Sequence, residues 1–402
     1  MSVAIFLTAP QIHDGQKWLP EGTVVELTEK GKIKEIHSRG IIPPERVQQL
    51  DGILCPGFIN AHGHLELSHL KQKIDSGSGL TDFLLAVMNN RAAVSEEEKE
   101  EAILEAIRQQ KEKGIVAIGD IANGTDSLKY RPDAALHIHT FVECMGLVPQ
   151  NAADRFRYSE AVYRQFAAQA SDDYYLGQSI VPHAPYSVAQ NLFQLIARHQ
   201  PEALISIHNQ ETEAEGELYQ QKSGPLLRLF AELGINPEVF SASGKSSLQT
   251  YFPWLAGNHP LLLVHNTFTT PSDIDFLQQS GAAFSFCLCP AANMYIENRL
   301  PDLEMLCQKQ VPICIGTDSL ASNHQLDILA ELNILQEYYS HLDWEQMLCW
   351  ACFNGAKALQ LEDRLGHLRP GLQPGIVQLQ FSGDTRLVKN ARVKVLFGSA
   401  NP

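Results

Sequence analysis

Pro56-Gly57-Phe58-Ile59-Asn60-Ala61-His62-Gly63-His64 decides how the rest of this chain is read. Side chains at i and i+2 of a β-strand leave the same face, so His62 and His64 project together, as two imidazoles sharing one cation must. The run Ile53-Leu54-Cys55-Pro56-Gly57-Phe58-Ile59 is apolar enough for a buried parallel strand, with the pair at its C-terminal end. Taken alone, a His-x-His pair is as well explained by two polar residues at a strand edge. The downstream sequence tips that balance.

Apolar runs of strand length recur at 115–120, 136–143, 175–183, 203–208, 260–265, 282–287 and 311–318, separated mostly by helical patterns. Glu96 to Gly114, for example, reads as a charged helix stopped by a glycine. With the opening run this makes eight strands. Alternating β and α elements favour an α/β fold with a parallel sheet, and eight repeats favour a (β/α)8 barrel. The chain ends differ. Runs at 22–27, 31–36, 376–381 and 393–397 read as short strands with no helix between them, predicting a small β-domain formed by both termini. The expected boundaries are 1–55 and 363–402 for that domain and 56–362 for the barrel.

The 402 residues are 44% hydrophobic and 19% charged, ordinary for a globular protein with ample core. A formal charge of −15 repels phosphate backbones and anionic bilayers, so neither nucleic acid nor a membrane is an expected partner. Met1-Ser2-Val3-Ala4-Ile5-Phe6-Leu7-Thr8 lacks a basic region and a long apolar core, and no apolar run approaches a membrane span. The expectation is a cytoplasmic protein with a small-molecule substrate, with homo-oligomerisation left open. Eight cysteines in so long a chain are not a disulfide framework. Cys287-x-Cys289 and Cys349-x-x-Cys352 do not match a zinc-ribbon spacing and read as buried thiols.

Placed on this architecture, His62 and His64 end the first strand, His183 the fourth, His208 the fifth, His265 the sixth and Asp318 the eighth. Barrel active sites form where several strands end, and scattered histidines would not choose that position repeatedly. His62, His64, His208 and Asp318 could supply four ligands to Zn²⁺, with water completing the shell. A bound cation lowers the pKa of its water towards about 7, and Asp318 could both touch the ion and accept the water proton. Glu211, three residues beyond His208, stands where it could shuttle a proton to substrate. Its plainer reading is a charge opening the next helix, as for Glu213, Glu215 and Glu217. His13, His37, His199 and His341 read as solvated, and His137 and His139, in mid-strand, as packing or surface residues.

The ordered set His62-Gly63-His64, His183-Ala184-Pro185-Tyr186-Ser187, His208-x-x-Glu211, Val264-His265-Asn266, Cys289-Pro290-Ala291-Ala292-Asn293 and Gly316-Thr317-Asp318-Ser319 resembles the amidohydrolase superfamily. The branch is the one holding cytosine deaminase, S-adenosylhomocysteine deaminase and the chlorohydrolases. The resemblance covers most of the chain and implies a metal-dependent hydrolytic deaminase with a single divalent ion, Zn²⁺ or else Fe²⁺. Two-metal members carry a carboxylated lysine after strand four, and 175–183 contains none. It further implies metal ligation by His62, His64, His208 and Asp318. His265 would orient or deprotonate water, Glu211 would protonate a ring nitrogen, and hydroxide would attack an amino-bearing ring carbon with loss of ammonia. The alternatives are another leaving group, such as halide or amide nitrogen, or a non-catalytic metal-binding relative. His62-Gly63-His64-Leu65-Glu66-Leu67-Ser68 resembles aminodeoxyfutalosine deaminases, which implies a 6-aminopurine nucleoside. Glu66 would then hold a sugar hydroxyl, unless it merely orients its loop, and His183 would line the pocket. Gly63 departs from the threonine common in this branch, which suggests a looser backbone. Residues 368–377 match the usual C-terminal segment only partly.

Overall fold

Where the sequence alternates apolar and helical patterns, the chain forms eight parallel strands: β1 (Phe58–Gly63), β2 (Ile115–Ala122), β3 (His137–Cys144), β4 (Leu176–Pro182), β5 (Ile205–Asn209), β6 (Leu261–His265), β7 (Phe284–Leu288) and β8 (Ile313–Ile315). The structure is a computed structural model that describes residues 4–255, 257–382 and 388–401; residues 1–3, part of the stretch read for a leader, lie outside it. Strands β1 to β4 form one parallel sheet in that order and β5 to β8 a second. The continuous closed ladder expected of a (β/α)8 barrel is not seen. At one seam Gly63 and Asp318 form a single parallel bridge, and at the other His208 N donates to His183 O at 3.0 Å.

Local chemistry explains the elements between. Helix Glu96–Glu112 opens with a capping box, Ser95 and Glu98 each accepting the other's backbone N–H, and Gly114 with φ +77° turns the chain into β2. Helices Ala152–Ala167, Gln190–His199 and Pro271–Ser280 follow β3, β4 and β6, while only a short turn, Leu128–Tyr130, separates β2 from β3. Apolar side chains of strands and helices meet in one core, where Phe58, Phe193, Tyr251 and Phe286 are fully buried. Each such side chain stabilises the fold by roughly 1.5–3 kcal/mol.

The apolar opening run belongs to two sheets, not one strand. Ile53–Pro56 pairs antiparallel with Gln373–Phe381 and parallel with Gln11–Ile12, and only Phe58–Gly63 joins the parallel sheet. At Gly57 between them a Cβ would sit 2.3 Å from Val116 Cγ1. Gln373–Phe381 also pairs with Ala391–Ala400, so both chain ends share this sheet; a further sheet holds Ile5–Thr8, Val24–Leu27, Ile33–His37 and Val47–Gln49. Gly63 is not loosened: it bridges Asp318, and an added Cβ would meet Ile118 Cδ1 at 3.1 Å and Asn60 Nδ2 at 3.2 Å.

Of the histidines expected in solvent, His13 is interior and His37 half-buried, while His137 and His139, expected as packing or surface residues, pack inside. His13 is fully buried against the Trp18 ring, and burial lowers its pKa to about 4. His37 closes a strand and bonds Glu26 at 2.8 Å. His137 and His139 lie at the start of β3, buried, and burial holds them at about 4 and about 3. All eight cysteines are free, Cys287, Cys289 and Cys352 buried and Cys349 partly so. Among the described residues no helix is long and apolar enough to cross a membrane.

Candidate active site

Six of the residues singled out in the sequence converge where the parallel strands end. His62 Nε2 and His64 Nε2 lie 3.2 Å apart, and Asp318 Oδ1 is 3.4 Å from the first and 3.1 Å from the second. The rings of His208 and His265 complete the cluster, with centroids 4.9 and 6.0 Å from that of His62. His62, His208, His265 and Asp318 each offer a ligand atom within 4.8 Å of the others. Glu211 Oε1 lies 3.4 Å from His265 Nε2.

Backbone geometry fixes this convergence. Thr317 N and Asp318 N both donate to His62 O, at 3.0 and 3.1 Å, and Asn60 Oδ1 accepts from Thr317 N at 3.0 Å, tying β1 to the end of β8. So close an approach needs Gly316, because a Cβ there would lie 2.8 Å from both His62 O and Cys287 Sγ. His265 and Asp318 adopt φ +72° and +54°, a left-handed backbone that non-glycine residues rarely take and that turns both side chains off their strands.

Hydrogen bonds at the far ring nitrogens set the tautomers. His208 Nδ1 donates to His183 O at 2.9 Å and His265 Nδ1 to Asn293 Oδ1 at 3.0 Å, so each Nε2 carries its lone pair towards the cluster. The Asn293 amide is itself oriented by donating to Thr267 Oγ1. Burial lowers the pKa of His62 to about 4, and burial together with the neighbouring imidazoles holds His208 well below its usual value. Burial likewise lowers His265. These are neutral imidazoles, the form that binds a metal. Burial alone would raise Asp318, but hydrogen bonds from His62 and His64 hold it well below the carboxylate range, with Ser322 Oγ donating to its other oxygen. His64, despite burial, is pushed up to about 9 by Asp318. A carboxylate among imidazoles, with the His62, His64 and Asp318 atoms 3.1–3.4 Å apart and those of His208 and His265 within 4.8 Å of His62 and Asp318, is a donor set that suits one Zn²⁺-like ion. Four imidazoles and a carboxylate are more donors than a four-coordinate shell takes.

The cluster floors a cavity of about 220 Å³ walled largely by Leu67, Leu80, Phe83, Met145 and Leu229. Glu211 lines it, 5% exposed, and burial and the charge of Asp318 raise its carboxyl well above the usual range. His183 lines it too; its Nδ1 meets Ser187 Oγ at 2.7 Å, and burial lowers its pKa to about 3. Glu66 stands behind the wall: its oxygens accept from Arg91 Nη2 at 2.8 Å and Asn123 N at 3.0 Å, and it is 1% exposed. Arg91 lines the cavity instead. Three lining residues escaped the sequence reading: Arg91, Asn123 and Glu143. Glu143 ends the third apolar run as His183 and His208 end theirs, so the strand-end rule would have found it. Glu215, read as a charge opening the next helix, does sit in its first turn, but buried: it accepts from Gln210 N at 3.1 Å and from Ser247 Oγ, which braces the turn before Glu211.

A profile described as "Amidohydrolase family" matches residues 53–396. The chain belongs to the amidohydrolase family. Among its curated relatives, a Helicobacter pylori adenosine deaminase is 26% identical over 318 residues, 78% of this chain and 76% of that one. Solved members share the fold. Helicobacter pylori aminofutalosine deaminase, in complex with methylthio-coformycin, superposes with TM-score 0.81 at 23% identity, covering 98% of this chain and 99% of that one. An adenosine deaminase from Xanthomonas campestris with bound zinc gives TM-score 0.72 at 21% identity, covering 98% and 92%.

Proposed function

We propose that this amidohydrolase is a hydrolytic deaminase of an adenosine-like nucleoside. The observation that carries it is the convergence of four imidazoles, the Asp318 carboxylate and the buried Glu211 carboxyl at the floor of one cavity. The kinship with an adenosine deaminase supports the 6-aminopurine ring. Its fold is read as a closed (β/α)8 barrel over 56–362 with a small β-domain from 1–55 and 363–402; the Gly63–Asp318 bridge and the sheet shared by both chain ends support this.

His62, His64, His208 and Asp318 would hold one divalent ion, which we take to be Zn²⁺, with Fe²⁺ the alternative. Such an ion supplies acidified water and charge stabilisation at neutral pH. The chain's own groups do the rest. His265 Nε2, its lone pair fixed by Asn293, orients the attacking water, and Asp318 accepts a proton from it. Glu211, held neutral by its surroundings, protonates the ring nitrogen beside the amino-bearing carbon. The water oxygen bonds to that carbon, one water proton passes through Asp318 to the amine and the other restores the Glu211 carboxyl, the C–N bond breaks, and ammonia leaves a ring carbonyl beside the protonated ring nitrogen. His183 lines the pocket beside the substrate, and Glu66, behind the wall, reaches the sugar only through Arg91 and Asn123.

The test is metal analysis with ammonia release from adenosine, 5′-methylthioadenosine, cytosine and a 6-chloropurine nucleoside. Ammonia from the adenosines is expected. A metal-replete protein that releases only chloride, or nothing, refutes the reading.

A further inference from the structure

Amid apolar walls, one stretch of the cavity is polar, and its groups are wired together. Asn123, just past β2, donates Nδ2 to Glu143 Oε2 at 2.9 Å, and Glu143 stands at the end of β3. Only an NH₂ can donate to a carboxylate, so this bond fixes the amide and leaves Asn123 Oδ1 as an acceptor. That Oδ1 is buried without a partner. Glu143 Oε1 lies 3.3 Å from His208 Nδ1, whose N–H already goes to His183 O at 2.9 Å. Both residues line the cavity, so its wall holds two adjacent acceptors short of donors, a costly state where Asn123 Oδ1 is buried. Arg91, held by Glu66 at 2.8 Å, keeps further N–H groups beside them.

A ligand that satisfies this wall must bring two neighbouring donors. An ammonium would meet the charge of Arg91; a vicinal diol brings neutral donors and can also accept from Arg91. Through Glu143 the wall touches His208, so a group bound here lies beside the reacting ring. We propose that Asn123 and Glu143 bind the two ribose hydroxyls of the nucleoside, making the enzyme selective for ribonucleosides. Glu66 acts through Arg91 and Asn123 as a positioning residue. This deepens the deaminase reading and rests on it.

The experiment compares adenosine with 2′-deoxyadenosine in the wild type, Asn123→Ala and Glu143→Gln, with metal content measured on each protein. The wild type is expected to favour adenosine by about 10- to 100-fold in kcat/KM, the span of a hydrogen bond to a charged acceptor. In both variants the preference should shrink to under about 3-fold, through KM more than kcat in Asn123→Ala and with metal retained there. Equal use of both nucleosides by the wild type, or an undiminished preference in Asn123→Ala, overturns the proposal. Loss of metal from Glu143→Gln with an unchanged preference would make Glu143 a positioning residue for His208 alone, and equally overturns it. If the wild type releases no ammonia from any adenosine, the deaminase reading fails. Calorimetric binding of adenosine against 2′-deoxyadenosine then decides the diol site by the same 10-fold criterion.

Discussion

Replacing Glu211 with glutamine tests the proton shuttle with little disturbance to the site. The carboxyl is 5% exposed, and burial and the charge of Asp318 raise it well above the usual carboxylate range, so an amide reproduces its shape and avoids adding a buried charge. Its approach to His265 Nε2, 3.4 Å, is close enough to be kept by an amide. What glutamine cannot do is give up and regain a proton. General acid–base transfer contributes about 10²- to 10⁴-fold, or about 3–5 kcal/mol of transition-state stabilisation. Glu211→Gln should therefore lose that factor in kcat, with KM within about threefold and metal content unchanged. A coupled ammonia assay on adenosine, with elemental analysis of the same preparation, gives both quantities. Loss of the metal would reassign Glu211 as a ligand; activity within a few-fold of wild type would remove it from the mechanism.

Asn293→Ala frees His265 Nδ1 from its 3.0 Å partner, so kcat should fall about 10- to 100-fold while metal content holds, read by the same assays. Gly316→Ala puts a methyl 2.8 Å from His62 O and Cys287 Sγ, and is expected to cost about 1–3 kcal/mol in denaturant unfolding and to weaken metal retention. His139 is held at about 3, so the fold stays neutral there while the unfolded chain takes up a proton below about 6.5. Stability is thus lost as pH falls from 6.5 towards 3, by up to about 1.4 kcal/mol per unit, and His139→Gln should flatten that part of a Tm-against-pH curve. Glu331, raised by burial to about 8 although Ala291 N and Asn323 Nδ2 donate to it, acts in the opposite direction. Its contribution is intact below about 4.5 and lost as pH rises to 8, so Glu331→Gln should gain on the wild type in that window. An identical Tm profile for the variant and the wild type would refute either assignment.

Periodicity set out the strands well because burial on both faces writes a continuous apolar run. It could not say which sheet a run joins: Ile53–Pro56 and Phe58–Gly63 are equally apolar, yet one pairs antiparallel with the C-terminal strand and the other parallel with β2. Glu215 opens its helix as its charge suggested, but its place in the chain could not show that it is buried, with bonds to Gln210 and Ser247. His13 was assigned to water on its loop context, but a local antiparallel bridge sets it against the Trp18 ring and its backbone N–H donates to Leu54 O, a neighbour that only the folded sheet supplies.

Local spacing alone determined that His62 and His64 share a face, and chain order alone placed His183, His208, His265 and Asp318 at the ends of the fourth, fifth, sixth and eighth strands. Those are short-range properties of a backbone with a two-residue repeat. Which nitrogen of each ring faces the centre, how Gly316 lets Asp318 reach His62, and that Glu66 lies behind Arg91 and Asn123 were decided only in three dimensions. Each depends on a hydrogen bond or contact between residues far apart in the chain, and such a pairing exists only once the sheets have brought their ends together.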